Sequence, residues 1–344
     1  MSVTYTEMKS QYRALSECSS YLFNKIPEVS ALTEGLDRYV FIGCGSSYSV
    51  ARSGAMLMNL RVKKPALAIP AGDLLLHTES YQPVLAGSVL VALSRSGQTS
   101  EVIRAVLRAR EIAPDCRVIS VVCQEDTELA HISDMVLEMP WAFDHSVCQT
   151  RTVSCLYFTC VYLAAALSRN TKMMDALNDA VSDGPSFMST YEPILEKAAY
   201  GRWTHAVVLG DAELSGLCDE GALAFKEICQ MPSNHYHVLD VRHGPMVLIG
   251  EHTLVVAVLS EGGSKTEYDV LSDITAKGAA VVTVTDKPTG LNRVIDILTD
   301  RPYPHPVRGL PFIAVCQLIS FYKSLQTGCD PDKPDGLAPW ITLT

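Results

Sequence analysis

The sequence predicts an α/β protein made of two similar, doubly wound parallel sheets in tandem, and three observations predict it. First, aliphatic and β-branched runs alternate with helical patterns: Tyr39 to Ile42 precedes a helical stretch from Tyr48 to Leu60, Val89 to Leu93 precedes one from Thr99 to Glu111, and Val118 to Val122 follows. Such alternation reads as βαβ units on a parallel sheet. Second, the pattern recurs with Ala206 to Leu209, a helix near Leu214 to Cys229, and strands at Leu254 to Leu259 and Ala280 to Thr285. Third, the recurrence keeps register. VLVALSRSGQTSE (Val89 to Glu101) lies over VVAVLSEGGSKTE (Val255 to Glu267) at an offset of 166, which matches Ser94 with Ser260, Gly97 with Gly263 and Glu101 with Glu267. At an offset of 167, Phe41-Ile42-Gly43 falls on Val208-Leu209-Gly210.

A chain of 344 residues has room for two such domains. The first is expected over 1–199, with an N-terminal helix and linking helices, and the second over 200–344 with a C-terminal tail. The linking stretch from about Thr150 to Lys197 is expected to break at Asp183-Gly184-Pro185, and the Pro-containing tail from about Cys329 to run without helix. The formal charge of −10 leaves no basic stripe to neutralise nucleic-acid phosphates. No apolar run approaches the length of a membrane span and residues 1–12 carry no signal core, so a cytoplasmic protein without a membrane partner is expected. The eleven cysteines are never spaced as C-x-x-C, and the nearest group, Cys148, Cys155 and Cys160, lacks metal-ligand spacing; reduced core thiols are expected. His235 and His237 share one side of an apparent strand but have no evident third ligand, so neither a metal nor another cofactor is expected.

Two segments suit an anion. Ser94-Arg95-Ser96-Gly97-Gln98-Thr99 should be the turn from the carboxyl end of a buried strand into a helix, where α/β folds bind ligands. Glycine permits close backbone approach, hydroxyls donate hydrogen bonds, and the helix N-terminus offers free N–H groups and a partial positive charge. The same residues also suit an ordinary helix cap. Gly43-Cys44-Gly45-Ser46-Ser47 places further hydroxyls and glycines at a second strand end. Neither is a dinucleotide fingerprint, since the third glycine is missing, nor a P-loop, since no Gly-Lys-Ser/Thr follows. Glu227 lies on a helix face with Leu223 and Lys226, where a half-buried carboxylate could move a proton or merely pair with the lysine. His243 precedes Gly244-Pro245 in a turn, where a histidine can shuttle protons.

These residues, together with Glu220-Gly221-Ala222-Leu223, Arg242-His243-Gly244-Pro245 and Gly336-Leu337-Ala338, resemble the tandem sugar isomerase (SIS) domain proteins. That group includes the isomerase half of glucosamine-6-phosphate synthase and the fructosamine-6-phosphate deglycases, and its domains are flavodoxin-like. The resemblance implies that Gly45, Ser46, Ser47, Ser94, Arg95, Ser96, Gln98 and Thr99 surround the phosphate of a sugar 6-phosphate and that Gln149 lies near the sugar. It implies that Glu227 transfers a proton between C1 and C2, and that His243 assists ring opening or protonates a departing group, often from a neighbouring subunit, so a homodimer or higher homo-oligomer is expected. Four positions depart from the synthase, among them Arg95, which replaces a glutamine in the phosphate turn and either points inward as a charge-assisted contact or outward as a surface charge. Ala224 and Pro339 stand where it carries lysines, the second of them its Schiff-base lysine, and Gln149 replaces a hydroxyl residue. The chain also begins Met1-Ser2 rather than with the synthase's catalytic cysteine domain, so glutamine is not expected to supply ammonia. With no lysine to form the imine, the substrate should already carry its nitrogen, which favours a deglycase or deaminase acting on a 6-phosphorylated ketosamine or aminosugar. A ketose-aldose isomerase or a non-catalytic sugar-phosphate sensor would use the same phosphate turn.

Overall fold

The computed structural model describes residues 2–299 and 301–338. Its elements run α1 (Val3–Leu32), β1 (Arg38–Gly43), α2 (Ser46–Leu57), β2 (Ala66–Pro70), α3 (Ala71–Leu76), α4 (Thr78–Leu85), β3 (Ser88–Ser94), α5 (Ser100–Ile112), β4 (Arg117–Val122), α6 (Glu128–His131), β5 (Met135–Glu138), α7 (Arg151–Leu167) and α8 (Thr171–Ala199). They continue with β6 (His205–Gly210), α9 (Ser215–Ile228), β7 (Ser233–His237), β8 (Thr253–Val258), α10 (Lys265–Ala276), β9 (Ala280–Thr285), β10 (Val294–Leu298) and α11 (Gly309–Thr327).

The strands form two five-stranded sheets, ordered β2-β1-β3-β4-β5 and β7-β6-β8-β9-β10, with every pairing parallel. Both are the same doubly wound order, so the repeat seen in the residues is a repeat of topology, with β3 and β8 as the matched central strands. The chain divides into two compact units. One holds Arg13–His145 and Gln149–Asp175 with the first sheet; the other holds residues 2–12, Ser146–Cys148 and Ala176–Leu337 with the second.

In the first unit, Val40, Ile42, Leu90, Ala92 and Val118 are fully buried against Val102, Val106 and Ala109 of α5. In the second, Val207, Leu209, Val255, Ala257 and Val281 meet Val270, Leu271 and Ile274 of α10. The opposite faces are covered by α2 with α7 and by α9 with α11. Strands buried on both faces read as continuous apolar runs, which is why the central strands were legible in the sequence. The half-exposed edge strand β2 lacks that signature.

The linking stretch differs from expectation. The helix does not break at Asp183-Gly184-Pro185; α8 runs through it, and the break lies at Ser168-Arg169-Asn170, where Arg169 adopts φ +53° and the Asn170 side chain accepts the Met173 N–H at 3.0 Å. An interior proline costs roughly 3 kcal/mol of helix stability, but Ala180, Phe187, Met188 and Leu195 are buried along the same helix and offset it. Gly184 serves packing rather than chain reversal, because a Cβ there would stand 2.0 Å from the Tyr12 ring.

Gly184→Ala separates helix propensity from packing. Propensity alone would add about 1 kcal/mol of stability, whereas overpacking against Tyr12 costs about 1–3 kcal/mol. Denaturant unfolding should show a net loss; equal or greater stability would mean that Tyr12 does not pack on Gly184.

Candidate functional site

In the first sheet, β1 and β3 are neighbours, with Ile42 opposite Ala92, and their onward connections lead to opposite edges. The carboxyl ends of these two strands therefore flank the topological switch point, the crevice where open α/β sheets take ligands. Both predicted anion turns open there.

The turn after β3 is held from behind by backbone bonds: the Cys123 N–H donates to Arg95 O at 3.0 Å and the Leu129 N–H to Gly97 O at 3.2 Å. Gly97 has φ +62°, and a Cβ on it would lie 2.4 Å from Thr127 Oγ1, so glycine is required on two counts. The Gly97 N–H donates to Ser94 Oγ at 3.0 Å, and the Gln98 N–H to Ser96 Oγ at 3.2 Å. Ser94 and Ser96 are buried, while Thr99 is half-buried and Gln98 exposed. Thr99 occupies the N-cap of α5 with extended backbone, yet its hydroxyl makes no capping bond. The cap reading thus fails for Thr99, whose hydroxyl leaves the first turn of α5 uncapped.

The turn after β1 has Gly45 at the N-cap of α2 with φ +51°, again without a side-chain cap, and Ser46 and Ser47 are buried at the start of the helix. Arg95 is only 4% exposed, and its guanidinium lies 5.9 Å from the centroid of the Phe143 ring, so it is not a surface charge. Gln149 precedes α7 in a segment organised by the buried Asp144 carboxylate, which accepts the N–H groups of Thr150 at 2.7 Å and Thr152 at 2.9 Å. Gln149 Oε1 is buried with no hydrogen-bond partner among the described residues.

Sequence reasoning passed over Glu101 in the first turn of α5. Among the described residues its Oε2 is buried without a hydrogen-bond partner, and its charge acts on Cys44 in the neighbouring turn. Burial, and then Glu101, push the Cys44 thiol up to about 12. The signal was present in the internal repeat, which pairs Glu101 with Glu267.

Glu227 is half-buried on α9. Desolvation pushes the neighbouring Lys226 ammonium below its ordinary range, partly opposed by Asp219, Glu227 and Glu220. Asp219 also pairs with His235 Nδ1 at 2.9 Å. Ala224 is buried at 3% exposure. His243 is exposed on a turn after Asp240–Arg242, its N–H donating to Asp240 O at 2.8 Å, and Val247 and Leu248 beyond it are 81% and 65% exposed. Pro339 lies outside the described residues. Among the described residues no group of three or more His, Cys, Asp or Glu side chains is placed to hold a metal, and burial pushes the Cys160 thiol up to about 12. No described helix is long and apolar enough to cross a membrane.

Comparison with known proteins bears directly on this geometry. The SIS domain model matches residues 36–169 and 201–291. The chain belongs to the SIS domain family. It is 26% identical over 326 residues to a glutamine–fructose-6-phosphate aminotransferase (isomerizing) of Caulobacter vibrioides, covering 90% of this chain and 52% of that protein. It is 27% identical over 283 residues to a D-galactosamine-6-phosphate deaminase of a Shewanella species, covering 78% and 69%. The chain spans about half the length of the aminotransferases it matches. Among solved structures, a glucosamine-6-phosphate deaminase from Thermotoga maritima superposes with a TM-score of 0.84 at 25% identity, covering 99% of this chain and all of that one. These SIS relatives are sugar-phosphate enzymes, and the two sheets are a tandem pair of SIS folds.

Thiol labelling checks the Glu101–Cys44 proximity. At pH 8 native Cys44 should label with iodoacetamide far more slowly than an unperturbed cysteine. A nearby carboxylate disfavours the thiolate, so Glu101→Gln should lower the Cys44 value and speed labelling at alkaline pH. An unchanged pH profile would place Glu101 away from Cys44.

Proposed function

We propose that this chain is an enzyme acting on a 6-phosphorylated ketosamine or aminosugar, moving a proton between C1 and C2 and releasing the amine, as a deglycase or deaminase. The observation that carries the reading is the pair of turns at the β1/β3 switch point, with buried Ser47, Ser94 and Ser96, the uncapped hydroxyl of Thr99, and two helix N-termini. Hydroxyl and backbone donors at helix N-termini suit a phosphate monoester. Gly45 and Ser46 shape the first turn, Gln98 and the buried charge of Arg95 serve the second, and the Gln149 amide meets the sugar.

Glu227 is the base that carries the proton between C1 and C2, beside Lys226, whose ammonium burial holds below its ordinary range. His243 protonates the leaving amine. Its exposure, next to the exposed apolar side chains of Val247 and Leu248, suits a residue delivered to a neighbouring subunit. The buried Ala224 and the proline at 339 offer no amine for an imine with a ketose, so the nitrogen arrives with the substrate. The names of the galactosamine- and glucosamine-phosphate deaminases among the relatives support an aminosugar phosphate. The same Glu227 would serve a ketose-aldose isomerase, and product analysis separates the two.

Purified protein incubated with 6-phosphofructosyl amino acids and with glucosamine 6-phosphate should release amine or ammonia between pH 6 and 8; no release from either would overturn the deglycase and deaminase readings. Glu227→Gln should lower turnover by roughly 100-fold to 10,000-fold while ligand-induced thermal stabilisation persists. Full turnover in that variant would remove Glu227 from the chemistry.

A further inference from the structure

Helix α1 begins without an acidic residue in its first turn, and its first N–H groups are taken by a residue far along the chain. The Asp332 carboxylate accepts the Val3 N–H at 2.9 Å, the Thr4 N–H at 2.8 Å and the Ser2 hydroxyl at 2.6 Å, and the Thr4 hydroxyl donates to Pro331 O at 2.8 Å. These are charge-assisted bonds at the positive end of a helix, where a carboxylate is favoured. Burial pushes the Asp332 carboxyl up, but the bonds from Ser2, Thr4 and Val3 outweigh it and hold the group below the ordinary carboxylate range. The backbone of Asp332 is fastened too: its N–H donates to Asp330 Oδ1 at 3.0 Å, and its carbonyl accepts the Val147 N–H at 3.3 Å.

The same tail meets the end of α9. Gln230 lies just past the C-cap of that helix with φ +53°, a conformation that costs a residue other than glycine roughly 1–2 kcal/mol. The tail grips its side chain at both ends: Gln230 Nε2 donates to Asp335 O at 3.0 Å, and Cys329 Sγ donates to Gln230 Oε1 at 3.7 Å. The next N–H, of Met231, closes the helix on Phe225 O at 3.0 Å. Only three residues separate Asp332 from Asp335, and Pro331 and Pro334, both buried, stiffen the path between the two anchors. Glu227 lies on α9 three residues before Gln230.

We infer that Asp332 is a positioning residue: by capping α1 it fixes the tail, and the tail holds the left-handed end of α9 and with it Glu227. Every residue in this path belongs to the second unit. The catalytic consequence rests on the proposal that Glu227 is the base, whereas the hold on α9 does not.

The test joins hydrogen-exchange mass spectrometry of residues 2–8 and 226–234 with steady-state turnover of 6-phosphofructosyl amino acids and glucosamine 6-phosphate, for the full chain and for Asp332→Ala, Asp332→Asn and Gln230→Ala. Asp332→Ala should speed exchange in both segments and lower kcat about tenfold to hundredfold, the range of a misplaced catalytic group, with KM within about threefold. Asparagine is a favoured helix cap, so Asp332→Asn should restore most of the turnover and protection. Gln230→Ala should reproduce the loss of kcat and the faster exchange at 226–234 while residues 2–8 stay protected, and it carries the test should Asp332→Ala not fold. Faster exchange confined to residues 2–8 in Asp332→Ala, or unchanged exchange at 226–234 in Gln230→Ala, would overturn the inference and leave Asp332 an end cap alone. Faster exchange at 226–234 with kcat unchanged would support the hold on α9 and remove Glu227 from the chemistry, so the two readings fail separately.

Discussion

The approach of Gly97 to Thr127 governs the shape of the turn after β3. With a Cβ excluded at 2.4 Å and φ at +62°, the backbone between Ser94 and Thr99 has one course, fastened by Cys123 and Leu129. That course makes Thr99 the N-cap of α5 without letting its hydroxyl cap the helix. The parallel sheet behind it sets the rest: because β1 and β3 pair while their connections diverge, no crossover helix covers their carboxyl ends, and the turn after β1 opens at the same place.

The second sheet shows the same architecture closed by its own side chains. There the turn after β8 is satisfied by Glu267, and the Gly262 N–H donates to Asp286 at 3.1 Å. Arg308, fully buried, donates to the carbonyls of Leu259 and Ser260 and pairs with Asp286 at 3.1 Å. With the turn carbonyls taken by Arg308 and the Gly262 N–H and the Ser260 N–H taken by carboxylates, this turn leaves few groups for a ligand. Duplication preserved the strand order and the register, whereas the polar residues at the strand ends diverged, in keeping with function residing in sites placed on folds.

The buried thiols and the linking helices follow the same division between pattern and contact. Cys155 and Cys160 are buried along α7, where desolvation favours the protonated, apolar form. Composition and spacing were enough to predict reduced core thiols. The continuity of α8 through Gly184-Pro185 was not predictable from local rules, because it depends on the Tyr12 ring filling the space that a Cβ would take.

What the sequence determined by itself was periodic or local. Runs such as Val89 to Leu93 are apolar without alternation because both faces of the strand are buried, the 166-residue offset aligned β3 with β8, and glycine-hydroxyl clusters at strand ends marked both turns. What only tertiary structure decided was where polar atoms find partners. Sequence alone could not choose whether Arg95 faces solvent or the interior, whether Thr99 caps its helix, or that Glu267 is satisfied while Glu101 is not. Each depends on residues distant in the chain, such as Phe143 for Arg95, and hydrogen bonding at a strand end is settled by which side chains the fold brings within about 3 Å rather than by any local propensity.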